Sequence, residues 1–147
     1  MRLGSMRAAS AVCEGDTDTD DTDTDADTDD TDTVLYDLDL YGEDWEFVHN
    51  GEDFYLNVVR DSDYEVVATD SAVIDSSGTV SMSFTGILDT SESYTLDYYA
   101  DHDSDGICSP YPADHVWHDA LAAFTGDTSA TIDHSGSTID SDGCDSF

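Results

Sequence analysis

Between Asp101 and Gly106 the chain reads Asp-His-Asp-Ser-Asp-Gly, three carboxylates at alternate positions closed by a glycine. A hard divalent cation such as calcium takes about six to eight oxygen ligands, and alternate acids on a tight loop can converge on one centre. Asp101, Asp103 and Asp105 would supply side-chain oxygens, and the backbone carbonyl of Ile107 falls at the seventh position. Gly106 permits the sharp turn.

An EF-hand loop closes with a bidentate glutamate at its twelfth position. Here that position is Pro112, and no helices flank the loop, so Asp114 is the expected closing ligand. In a chain this rich in aspartate, an acidic turn without a metal is the plain alternative. A second metal pattern, His115-x-x-His118 beside Asp114 and Asp119, would suit zinc on a helix. On a strand, residues three apart point to opposite faces and the ligands separate. His49, His102 and His134 have no partner visible in the sequence. Neither a Gly-x-Ser-x-Gly elbow nor a glycine-rich phosphate loop occurs. No carboxylate pair for glycoside hydrolysis can be singled out among so many acids. The expectation is a non-enzymatic protein.

The 147 residues carry 36 acids against Arg2, Arg7 and Arg60, a net charge of −33. Such a surface repels phosphates, which excludes nucleic acid and basic-patch binding to membranes. Eleven acids lie between Glu14 and Asp32, leaving 25 from Asp37 onward against Arg60 alone. Salt or divalent cations must screen a domain charged in this way. Of the three cysteines, Cys108 and Cys144 fall in the expected folded part, and Cys13 precedes a low-complexity run. The natural partition is a Cys108–Cys144 disulfide, implying an oxidising compartment, with a separate role for Cys13.

Residues 1–13 end in Ala8-Ala9-Ser10-Ala11-Val12-Cys13, which resembles the end of a bacterial lipoprotein signal, where the cysteine becomes lipid-modified. An apolar stretch of roughly 7–15 residues is missing, and Val12 stands where that pattern has a small residue. Residues 14–33 are nearly pure Asp-Thr, a disordered acidic linker that spans about 25 Å or more. Behind a lipidated Cys13 it would tether the domain to a membrane, and its composition resembles linkers of lipoproteins from myxobacteria-like and salt-adapted organisms.

Residues 34–147 read as the folded domain. Tyr36, Leu38 and Leu40 alternate with polar residues, as do Phe54, Leu56 and Val58, then Val80, Met82 and Phe84, then Tyr94, Leu96, Tyr98 and Ala100. Trp45 and Phe47 are expected core anchors, and Asn50-Gly51 is a hairpin-type turn. Residues 114–124 fit a helix or a strand. Tyr41, Tyr55 and Tyr99 fall on the outward phase, where they would suit a small carbohydrate- or protein-binding patch. About seven short strands predict an all-β, antiparallel immunoglobulin-like or transthyretin-like β-sandwich.

The run Tyr94-x-x-x-Tyr98-x-Ala100-Asp101-x-Asp103-x-Asp105-Gly106-x-Cys108 resembles the late strand and loop of bacterial secreted transthyretin-like (carboxypeptidase-regulatory-like) domains. In those, a tyrosine-rich strand enters an Asp-x-Asn-x-Asn-Gly loop; Tyr111 to Trp117 is similar to the segment that follows in some of them. The resemblance implies a β-sandwich acting as a stabilising, adhesive or cell-surface module, and no activity. The sequence thus predicts an extracytoplasmic module of a bacterial envelope, anchored through Cys13 or secreted, with a structural calcium loop. The alternatives are a metal-free domain binding an extracellular protein or glycan, and a hydrolase using a carboxylate pair.

Overall fold

The computed structural model describes residues 33–45, 47–136, 139 and 143–147. Cys13 and all of the expected linker except Thr33 lie outside the described residues. Seven strands follow in order: β1 Tyr36–Glu43, β2 Asp53–Arg60, β3 Glu65–Val73, β4 Val80–Leu88, β5 Tyr94–Asp101, β6 His115–Ala120 and β7 Thr128–Asp133. They form a three-stranded sheet, β4-β1-β7, and a four-stranded sheet, β3-β2-β5-β6. The described residues form an all-β sandwich, with a 3₁₀ turn at His134–Gly136. Every pairing is antiparallel except β1 with β7, which run parallel.

The alternation read from the sequence builds the core. Leu38 and Leu40 of β1, Phe54, Leu56 and Val58 of β2, Val80, Met82 and Phe84 of β4, and Tyr94, Leu96, Tyr98 and Ala100 of β5 are all buried in one cluster. Residues i and i+2 share a face of a strand, so each row meets the facing sheet. Trp45 is fully buried, but Phe47 is 88% exposed and anchors nothing. The chain turns at Trp45, where Val48 and His49 both donate their N–H to its carbonyl, so Phe47 leaves the strand phase and faces solvent. Gly51 has φ 84°, as an Asn-Gly turn requires, yet it forms no hairpin: β1 and β2 belong to different sheets. The turn carries the chain across the sandwich. Residues 115–120 are a strand, paired with β5 from Ala100↔His115 to Thr95↔Ala120.

β2 and β5 are buried on both faces. On the outer face, Tyr55 and Tyr99 stack at 4.8 Å, and Phe147 meets Tyr99 edge-on at 4.7 Å. Asn57 Nδ2 donates to the Ser146 carbonyl at 2.7 Å. Gly143 crosses β6 so closely that a Cβ there would lie 2.4 Å from His118 Nε2 and 2.8 Å from Val116 Cγ1. The Cys108–Cys144 disulfide, with Cα atoms 5.7 Å apart, pins this tail to the acidic loop. It closes 36 residues, a constraint of about 3–4 kcal/mol on the unfolded chain. The bond points to an oxidising, extracytoplasmic environment. Among the described residues no helix is long and apolar enough to cross a membrane.

Candidate metal-binding end of the sandwich

β5 delivers Asp101 to one end of the four-stranded sheet, and the chain loops from there to β6. Ser104 and Gly106 take left-handed φ values of 61° and 74°, which curl the loop back over its own start. Asp101 is buried, and its two oxygens accept the N–H groups of Asp105 (3.2 Å) and Gly106 (2.9 Å). Asp114, also buried, accepts the N–H groups of His102 (2.9 Å) and Ser109 (2.7 Å). Each carboxylate thus satisfies two part-buried amides. The two carboxylates therefore staple both ends of the loop before any ion is considered.

Asp101, Asp103 and Asp114 each bring one carboxylate oxygen within 4.8 Å of the others. Three of the five expected calcium ligands thus converge. Asp105 turns instead to the Ile107 N–H at 2.8 Å, and the Ile107 side chain lies exposed. Burial pushes the Asp114 carboxyl up from its ordinary range; the Ser109 and His102 amides oppose this, and Asp103 and Asp101 reinforce it. Like charges at this spacing favour a proton or a cation between them.

His115 and His118 part company, as strand geometry demands. His118 Nδ1 meets Asp97 Oδ1 at 2.6 Å on the tail-covered face. The sequence pair is no zinc site. His115 joins a cluster that the sequence did not disclose. His49 lies fully buried in the β1–β2 connection, and Glu52 sits just before β2. His102 follows β5, His115 opens β6 and His134 follows β7. Glu52 Oε2 meets His49 Nδ1 at 2.7 Å, and Glu52 Oε1 meets His102 Nδ1 at 2.8 Å. His49 Nε2 lies 3.1 Å from His115 Nδ1.

The two tryptophans wall this cluster. Trp45 and Trp117 have ring centres 5.6 and 5.7 Å from that of His49, and His134 lies 4.6 Å from Trp45. Neither indole N–H has a hydrogen-bond partner among the described residues, so both rings act as apolar walls. Burial lowers the pKa of His49 against the raising effect of Glu52, and burial with neighbouring His102 lowers that of His115. The neutral imidazole is therefore favoured in His49 and His115. Strand ends supply the one signal a sequence reader could have used: His102 directly follows the alternating row that closes at Ala100.

The outward tyrosines separate. Tyr55 and Tyr99 share the covered face of the four-stranded sheet, whereas Tyr41 belongs to β1 of the other sheet. No family model matches the chain, and no curated protein matches it.

Proposed function

We propose that this chain is a non-enzymatic module of a bacterial envelope, held outside the cytoplasm through a lipid on Cys13, with a structural calcium loop at Asp101–Asp114. The convergence of Asp101, Asp103 and Asp114 carries the calcium reading. Two of these are buried and fixed by backbone amides, so the carboxylates are preorganised and a cation would meet no ordering cost for them. The disulfide supports the compartment, and the tyrosine-rich β5 running into an acidic loop supports a transthyretin-like relationship.

Calcium would neutralise the mutual repulsion of the three acids and hold the exposed Asp103 against the buried pair. Affinity in the 10⁻⁴–10⁻³ M range suits an extracellular module. The test is thermal melting of the full chain, chelator-treated and then given calcium or magnesium at fixed high ionic strength. Calcium at ten times Kd should stabilise by about 1.4 kcal/mol, a rise of roughly 5 °C. Asp103→Asn should remove the rise without lowering the metal-free melting point. A shift that magnesium matches, or one that Asp103→Asn retains, refutes the calcium loop.

A metal-free binding role has one observation in its favour. Tyr55, Val66, Ile107 and Phe147 line an open, largely apolar groove of about 540 Å³. Glycan-array and pull-down screens with Ile107→Asp as the control would reveal a ligand there.

A further inference from the structure

We propose that His49, Glu52 and His102 form a binding site for a divalent first-row transition ion of the zinc–copper class, separate from the carboxylate loop. One ligand atom from each of the three lies within 4.8 Å of the others. Ions held tetrahedrally at about 2.0–2.1 Å need ligands about 3.3 Å apart. Glu52 already holds both imidazoles, His49 Nδ1 on Oε2 at 2.7 Å and His102 Nδ1 on Oε1 at 2.8 Å, so an ion would replace the two hydrogen bonds between these same atoms. Two imidazole nitrogens are borderline donors and the carboxylate a hard one, a mixed set that suits zinc or copper(II) better than calcium or magnesium.

The surroundings are those of a ligand set. An ionised carboxylate only accepts, so in the metal-free cluster His49 and His102 both carry their proton on Nδ1 toward Glu52. His49 Nε2 is then the acceptor for His115 Nδ1–H across 3.1 Å. On loading, His49 Nδ1 and His102 Nδ1 give their lone pairs to the ion. Each ring then carries its N–H on Nε2. His49 Nε2–H donates to His115 Nδ1, whose own N–H lies on its far nitrogen. The His49–His115 bond thereby reverses direction. A histidine ligand whose second nitrogen is oriented by a neighbour is the usual outer-shell arrangement.

Entry is from the His102 side, which is 48% exposed, while His49 is sealed behind Trp45 and Trp117. That leaves one side of the ion open to water or to a donor from another molecule. The tryptophans also provide the readout. They are the only two in the chain, and both lie within 6 Å of His49 by ring centre, so copper(II) bound there must quench nearly all the tryptophan fluorescence.

The experiment is a tryptophan-quenching titration of the full chain with copper(II), paired with zinc calorimetry in saturating calcium. The expected result is one saturable site per chain. His102→Ala and Glu52→Gln, both at the open side, should weaken it by about tenfold or more; circular dichroism checks that each variant folds. His118→Ala, on the tail-covered face, should leave it unchanged. Undiminished binding in both His102→Ala and Glu52→Gln overturns the site. So does a loss in Asp103→Asn equal to theirs, which would move the ion into the carboxylate loop. The site rests on no calcium binding: the loop is read by calcium-dependent melting and the histidine site by tryptophan quenching, so failure of one is distinguished from failure of the other.

Discussion

The carboxylate loop and the histidine cluster lie at the same end of the sandwich and are held by opposite means. The loop is local: Asp101, Asp103, Asp105 and Asp114 fall within one connection, and three of these carboxylates accept amides of that connection. The cluster is assembled from the β1–β2 connection and the ends of β5, β6 and β7, and its side chains bind one another. A loop that caps its own amides keeps its shape without help from the rest of the fold. The cluster exists only because strand register brings its parts together. The dependence is therefore one-way. His102 gives its N–H to Asp114 and its ring to Glu52, so disturbing the loop disturbs the cluster, while removing the His102 ring leaves the loop intact.

The largest effect should come from the disulfide. Replacing Cys108 and Cys144 with serine should cost about 3–4 kcal/mol in a urea unfolding series. The tail would lift from Tyr99, Asn57 and Val116, while the histidine cluster, on the other side of the four-stranded sheet, should keep its copper titration. A copper midpoint that moved together with stability would show the two regions to be one cooperative unit and end the contrast.

Asp114→Ala comes next. It leaves two part-buried N–H donors, those of His102 and Ser109, without their acceptor, at about 1–2 kcal/mol. Relief of the repulsion from Asp101 and Asp103 offsets part of this. The same variant should weaken copper binding, because His102 loses its backbone anchor. Unchanged copper binding would mean that Glu52 alone positions the ring, and the one-way dependence would be wrong.

The same contrast explains what could be read from the sequence. Strand alternation placed Leu38, Phe54, Val80 and Tyr98 in the core, because period-two patterning is local and burial follows it. The Cys108–Cys144 pairing was legible because the expected domain holds only those two cysteines. Phe47 misled because hydrophobicity says nothing of the phase break at Trp45. His115 and His118 look like a pair along the chain, and the strand sends them to opposite faces. The partners of His115 are 66 residues away at His49, a proximity fixed by sheet order and invisible to spacing. Only the crossing of the chain at Gly51, with β2 then joining β5, creates it.

The smallest effect isolates self-capping from metal binding. Asp75, in the β3–β4 turn, accepts the Ser77 N–H and hydroxyl and the Thr79 N–H on one oxygen, and the Thr79 hydroxyl on the other. It caps its own turn as Asp101 and Asp114 cap theirs, but it stands in solvent. The Ser77 hydroxyl, followed by the Thr79 amide and hydroxyl, holds its carboxyl down to about 2 from an ordinary 3.8. An acid whose folded value is depressed stabilises the fold fully above its unfolded value. That contribution drains away as pH falls from 3.8 toward 2. Asp75→Asn should therefore flatten the fall in melting temperature across this window and leave the response to calcium and copper untouched. A slope identical to that of the parent would mean the hydrogen bonds survive protonation. A carboxylate's grip on its own loop would then owe nothing to its charge, and the acids at 101 and 114 would be free to serve a cation alone.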